Sequence, residues 1–322
     1  MSADEFDIIR RHFLRNRPLR ADVVTGIGDD AAVLQVPQDH DLVVCTDTLV
    51  AGRHFPDTTS PAAIGHKALG VNLSDLAAMG AQPAWATLAL TVPEYDETWL
   101  TAFMSGFFEL ADRYRVDLVG GDTTRGPLSV TVQAHGFVPS GSALQRRGAR
   151  PGDQVYVTGT PGDAGLALHL QEAAGATLQR RLDYPEPRIA AGQQLHGIAG
   201  AVIDVSDGLL ADLGHLLEYD GLGATLQVDA LPRSREFLGR LGRAGNDADS
   251  LYHELPLCAG DDYELCFTVA QDRVAKLDAV CAALDCGCTR IGEIEREPGI
   301  RCHRRDGSLY TPEGSGYLHF GD

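Results

Sequence analysis

A chain of 322 residues exceeds what one hydrophobic core comfortably serves, so two domains are expected. Apolar residues make up 44%, enough for well-formed cores and too many for a disordered chain. Lys and Arg number 27 against 45 Asp and Glu, and the resulting charge of −18 argues against nucleic acid or an anionic membrane as partner, because long-range repulsion opposes every encounter.

The first residues, MSADEFDIIRRHF, carry acids where a secretory signal would carry positive charge. No run approaches the roughly 18 apolar residues that span a bilayer. The cysteines at 45, 258, 266, 281, 286, 288 and 302 are scattered and odd in number, and Cys286 and Cys288 are too close for a usual zinc pair. Reduced thiols in a cytoplasmic protein are the expectation.

Elements of both kinds alternate along the chain. After an N-terminal helix, AAVLQV and DLVVCTDTLV read as strands, with an antiparallel pair expected near 30–50. Ser60-Pro61 opens a helix, a capping residue followed by proline in the first turn. A second helix is predicted over 97–114, where Trp99, Phe103, Phe107, Leu110 and Tyr114 fall at helical spacing and read as core. DLVGG and SVTVQAHGFV follow as strands. The Gly-, Ser- and Arg-rich stretch 140–152 reads as a linker between an N-terminal domain, 1–139, and a C-terminal one, 153–322. QVYVTG, AVIDVSD, ATLQVDAL, ELCFTV and CTRIGEI then read as strands with helices between them. The fold class is α/β (α+β): two domains, each a mixed sheet with packed helices.

The chemistry is carried by aspartates that end apolar runs: Asp29 and Asp30 in GIGDDAAV, Asp47 in CTDTLV, Asp75 in NLSDLAAMGA, Asp122 in VGGDTT, and Asp204 and Asp207 in IDVSDG. One such Asp is ordinarily a cap or turn former. Carboxylates gathered from several elements repel, and a bound cation or protonation relieves them. At 100° per residue, Asp75 shares a stripe with Ile64, Ala68, Val71 and Ala78, whereas His66, Lys67 and Ser74 project from another side. Asp75 is therefore expected to point inward, where an unpaired carboxylate is costly; a metal or a buried Arg would answer it. An all-oxygen donor set with Thr46 and Thr48 nearby suits magnesium, calcium or manganese.

No GxxxxGK[ST] loop is present, and protein-kinase motifs are absent. Gly26-Ile27-Gly28-Asp29-Asp30-Ala31 matches GxGxxA, but its two acids would repel a pyrophosphate and a strand follows, not a helix. Candidate phosphate contacts lie elsewhere: the flexible backbone at Gly120-Gly121-Asp122, the guanidiniums of Arg146 and Arg147, and the backbone donors of Ser206-Asp207-Gly208 ahead of a helix.

GIGDDAA (26–32), TDTLVAGRHF (46–55), NLSDLAAMGAQP (72–83), GGDTTRGPLS (120–129), RRGARPGD (146–153), VTGTPGDAGLAL (157–168), DVSDGLLADLGH (204–215) and GDDYELCFT (260–268), with GY at 316–317, together resemble the thiamine-monophosphate kinases over nearly the whole chain. That family stands among the aminoimidazole-ribonucleotide synthetase-like ATP-binding proteins. The resemblance implies an N-terminal domain that pairs in a homodimer, a C-terminal domain closing over ATP, and transfer of a phosphoryl group from ATP to thiamine monophosphate. By the same motifs, Asp30, Thr46, Asp47, Asp75, Asp122, Asp204 and Asp207 look like ligands of several Mg2+ ions. Gly121, Asp122, Arg146 and Ser206 look like ATP contacts, and His54, Asp261 and Tyr317 like contacts to the thiamine substrate. Asp122 and Asp207 would act in catalysis through the metal, with no general base, since the acceptor phosphate (second pKa about 6) is already anionic. One departure stands out. The family pattern GGEDYEL is Ala259-Gly260-Asp261-Asp262-Tyr263-Glu264-Leu265 here, and the shorter Asp261 would reach the aminopyrimidine through water.

Overall fold

A computed structural model describes residues 5–317. Its contacts divide the chain into two units, one running through Leu76 and over Ala81–Ser142, the other comprising Ala77–Gly80 and the chain from Ala143 onward.

In the first unit the N-terminal turn α1 (Glu5–Ile8) leads into a π-helix, Ile9–Phe13. Strands β1 (Val23–Thr25) and β2 (Val33–Leu34) form a small antiparallel pair. Strands β3 (His40–Val50), β4 (Gln82–Val92), β5 (Asp117–Arg125) and β6 (Ser129–Pro139) form a sheet of order β3-β6-β4-β5. β4 and β5 run parallel, and the other neighbours are antiparallel. The antiparallel pair expected near 30–50 is therefore split: β2 pairs with β1, and β3 with β6.

Helices α2 (Pro61–Ala78) and α3 (Glu97–Tyr114) begin where sequence placed them. Ser60 Oγ accepts the Ala63 amide at 3.3 Å, and Asp96 caps α3 by accepting Thr98 and Trp99 amides at 2.8 and 3.0 Å. The two backbones touch through glycine. A Cβ on Gly65 would lie 2.0 Å from the Phe103 carbonyl, and one on Gly106 would lie 1.9 Å from that of Ala62. Phe103, Phe107 and Leu110 are fully buried, and burying a side chain of that size contributes about 1.5–3 kcal/mol. Trp85 is core, its Nε1 donating to Asp22 at 2.9 Å and its ring edge-on to Phe137.

α2 departs from expectation. His66, Lys67 and Ser74 are as buried as the apolar residues, so the helix is covered on every side. Asp75 is one of its few part-exposed positions. The apolar-stripe argument therefore does not hold: a helix buried all round has no wet face from which an inward one can be told.

The second unit holds β7 (Gln154–Thr158), β8 (Ala199–Val205), β9 (Gly223–Gln227), β10 (Glu264–Val269), β11 (Cys288–Glu295), β12 (Gly299–His303) and β13 (Leu309–Tyr310), in the order β13-β12-β9-β11-β7-β10-β8. Within this sheet, among the described residues, only β12 and β9 pair in parallel. Its helices are α4 (Asp163–Leu170), α5 (Ala176–Asp183), α6 (Ile189–Gln194), α7 (Leu209–Asp220), α8 (Arg235–Leu241), α9 (Ala248–Cys258) and α10 (Val274–Cys281). One core joins Val155, Val157, Ile203 and Val205 of the sheet to Leu209, Leu213, Leu216 and Leu217 of α7. A second gathers Leu166, Leu178, Leu182 and Phe237 from α4, α5 and α8.

Candidate active site

Two groups of predicted site residues emerge, one in each unit. In the first, a cleft of about 490 Å3 is lined by Gly28-Asp29-Asp30, by Gly120-Gly121-Asp122-Thr123, and by the apolar side of Ile9, Phe13 and Leu88. Asp30, Gly121 and Asp122, far apart in sequence, thus share one cavity. The glycine is obligatory: Gly121 has φ 147°, and a Cβ there would sit 1.9 Å from the Leu88 carbonyl of the adjacent strand.

Asp47 and Asp75 meet around Cys45 instead. The Cys45 thiol donates to the Asn72 carbonyl of α2 at 3.2 Å, and burial with the neighbouring Asp75 and Asp47 carboxylates pushes its pKa up. Burial also raises the Asp47 carboxyl. Strand alternation sends Thr46 and Thr48 to the opposite face of the sheet, where Thr46 accepts from Gln133 Nε2 at 3.2 Å and Thr48 pairs with Thr131. The Thr46 hydroxyl and the Asp47 carboxylate therefore stand on opposite sides of β3.

At the end of β3 the chain turns, and His54 Nδ1 accepts the Val50 amide at 3.0 Å. In the neutral ring that bond leaves the hydrogen on Nε2. The buried Lys67 ammonium donates to the His54 carbonyl at 3.3 Å and fixes the same turn.

In the second unit β8 delivers Asp204 and the turn Ser206-Asp207-Gly208 into α7. The Ser206 carbonyl accepts the Asp261 amide at 2.9 Å, and the Asp207 carbonyl accepts the Tyr317 amide at 2.8 Å. Ser206, Asp207, Asp261 and Tyr317 are thereby brought together. Asp261 and Tyr263 have φ of 68° and 50°, left-handed values that cost of order 1–3 kcal/mol each in non-glycine residues. The strain is held by tertiary bonds: the Tyr263 amide donates to the Val205 carbonyl at 2.8 Å, and the Tyr263 hydroxyl donates to Asp261 Oδ1 at 3.0 Å.

The residues between and beyond them are structural. Asp262, raised well above its ordinary value by burial, accepts the Gly162 amide at 2.9 and 2.8 Å. Glu264 is fully buried and held by Arg181, Arg188 and Thr158. Arg146 lies exposed in the segment before β7.

The backbone donors expected to face an anion at the start of α7 are already taken. Asp212 Oδ2 accepts the amides of Ser206, Asp207 and Gly208 at 2.9, 3.1 and 3.2 Å. Burial and the Asp204 and Asp207 carboxylates push the Asp212 pKa up to about 7. Asp212 was not singled out from sequence, although its place on the Leu209, Leu213, Leu216 stripe marks an acid on the buried side of a helix.

Among the described residues no three His, Cys, Asp or Glu side chains converge as a ready-made metal cage. Magnesium ordinarily keeps several waters and is bound by one or two carboxylates together with substrate phosphates. The donors lining the first-unit cleft are carboxylate, hydroxyl and backbone oxygen, the set that ion takes.

The domains of the AIR synthase related proteins match both halves, the N-terminal domain at residues 28–138 and the C-terminal domain at 150–304. Two such domains in this order define an AIR synthase-related protein. Closer relatives narrow the class. The thiamine-monophosphate kinase of Salmonella typhimurium is 50% identical over 329 residues, covering 99% of each chain. The crystal structure of thiamine-monophosphate kinase from Stenotrophomonas maltophilia K279a is 47% identical with TM-score 0.83, over 90% of this chain and 93% of that one. AaThiL complexed with AMPPCP and TMP is 32% identical with TM-score 0.75, over 91% and 92%. The chain belongs to the thiamine-monophosphate kinase family.

Proposed function

We propose that the chain transfers the γ-phosphoryl group of ATP directly to thiamine monophosphate, giving thiamine diphosphate and ADP. The observation that carries this is the 50% identity to a thiamine-monophosphate kinase across the full length, together with a relative that holds AMPPCP and TMP at once. A phosphate acceptor is an anionic nucleophile at neutral pH, so the residues need only bind, orient and offset charge. In the first unit Asp30, Thr46, Asp47, Asp75 and Asp122 hold magnesium, with Gly121 and Asp122 at the ATP phosphates. In the second unit Asp204 and Asp207 hold magnesium, and Ser206 and Arg146 contact ATP. His54, Asp261 and Tyr317 contact the thiamine phosphate. When bound, magnesium supplies charge neutralisation of the facing phosphates and their in-line orientation. A folded sample that binds ATP yet forms no thiamine diphosphate from thiamine monophosphate, ATP and Mg2+ would overturn the assignment.

The active form is a homodimer paired through the first unit. β3 is an edge strand of 11 residues, and Leu42, Val44 and Val50 on its outer face are 43%, 49% and 37% exposed. A long apolar edge of this kind is a template for pairing with a second copy. The native chain should sediment as a dimer at micromolar concentration and V44D as a monomer; a monomeric native chain removes the proposal.

No described helix is long and apolar enough to cross a membrane. A cytoplasmic location agrees with seven cysteines that are all free thiols.

A further inference from the structure

We propose that Asp212 is the positioning residue of the second unit's site: its single oxygen Oδ2, bonded to three successive amides, sets the Ser206-Asp207-Gly208 turn on which the acceptor-contact segments hang. The inference rests on the kinase reading for its consequence, and on geometry for its cause.

The turn has two sides. On the amide side, Ser206, Asp207 and Gly208 all donate to Asp212 Oδ2. On the carbonyl side, Ser206 accepts from Asp261 and Asp207 accepts from Tyr317, so the two segments reaching for the thiamine substrate are tied to the same three residues. The α7 helix closes the ring, its Asp212 amide donating back to the Gly208 carbonyl at 3.0 Å. Asp212 is 4% exposed, and its distances are those of true hydrogen bonds. Removing the acceptor of three amides, one buried and two part-buried, leaves each to find another partner, which a tight turn achieves only by moving. A shift of about 1 Å at reacting groups costs on the order of 100-fold in rate.

The geometry also says which property of Asp212 matters. All three bonds end on one oxygen, so an asparagine carbonyl placed there restores them, whereas a glutamate keeps the charge but carries its oxygens one methylene too far. Asp212→Asn should retain at least about a tenth of the parental kcat/KM for thiamine monophosphate, and Asp212→Glu should lose roughly 100-fold. The reverse order, with Asp212→Glu active and Asp212→Asn inactive, would show that the charge is what counts and overturn the proposal. Equal activity of both with the parent would overturn it as well.

Amide hydrogen exchange at Ser206, Asp207 and Gly208 supplies a readout that does not need turnover. Exchange should stay slow in Asp212→Asn and quicken in Asp212→Glu at matched global stability. If the native chain makes no thiamine diphosphate, the kinase reading fails while this measurement still decides the role of Asp212: unchanged exchange in Asp212→Glu sinks it.

Discussion

Replacing Asp122 with alanine is expected to lower turnover of thiamine monophosphate by about 1,000-fold while leaving the fold intact. The magnitude follows from a metal contact worth several kcal/mol of charge stabilisation, each 1.36 kcal/mol being tenfold in rate. The selectivity follows from position. Asp122 is exposed at the far end of β5, just after the glycine that lets this strand lie against Leu88, and it lines the cleft with Asp29 and Asp30. Surface substitutions away from packing change stability by only about 0.5 kcal/mol. Calorimetry with AMPPCP present should show weakened Mg2+ binding beside the kinetic loss. Full turnover in the variant would remove Asp122 from the metal site.

The same strand contains its own control. Asp117, five residues earlier, is 1% exposed, pairs with Arg17 at 2.6 Å and accepts the Arg20 amide at 2.7 Å. Alanine there takes the buried partner from a half-buried guanidinium and from the Arg20 amide, so it should lower thermal stability and not the rate of the enzyme that remains folded. One β-strand thus carries a paired aspartate at its buried end and, farther along, an exposed one lining the cleft.

That pairing explains what could be read from the residues. Asp122 was singled out because two glycines precede it, and the close approach of Gly121 to the Leu88 carbonyl is why a strand gives up a side chain there. α3 was legible from an apolar stripe whose central members are all buried, and the Asp96 cap at its start came only with the structure. β4 was not. QPAWATLALTV begins with proline at its second residue and carries Ala where a strand usually shows β-branched side chains. It lies between β6 and β5, so most of its residues are buried and the two-residue alternation is lost. The same loss of contrast hid the setting of Asp75 on a helix with no wet face. The bond network of Asp212 escaped because an acid in a first helical turn reads as a partner for the helix dipole, and nothing local says that it folds back over the preceding turn.

Replacing Glu264 with alanine is the other large expected effect, here on stability. Glu264 opens β10 immediately after the strained Asp261-Asp262-Tyr263 segment, and it is 0% exposed. Its Oε1 accepts from Arg181 at 2.7 Å and from Arg188, and its Oε2 accepts from Arg188 Nε at 2.6 Å and from Thr158 at 2.7 Å. Burial alone would raise this carboxyl, but the Arg188 and Arg181 guanidiniums outweigh it and hold the pKa at about 2. Truncation leaves Arg188 without its carboxylate and Arg181 with only the Asp163 carboxylate at 3.7 Å, a loss of about 3–5 kcal/mol. In a domain of this size that is a drop of roughly 10 °C in Tm. Replacing Glu264 and Arg188 together with apolar side chains of similar volume should cost less, since Arg181 keeps the Asp163 carboxylate and no charge of that pair is left alone. The pH dependence has a definite sign. A depressed carboxyl stabilises the fold fully above its unfolded pKa of 4.5 and loses that contribution as pH falls towards about 2. The Tm difference between the native chain and Glu264→Gln should therefore be constant above pH 5 and shrink between pH 4.5 and 2. A difference that grows on acidification, or a Glu264→Ala variant melting within 2 °C of the parent by the scaling above, would show that the ion triad does not hold the loop that carries Asp261.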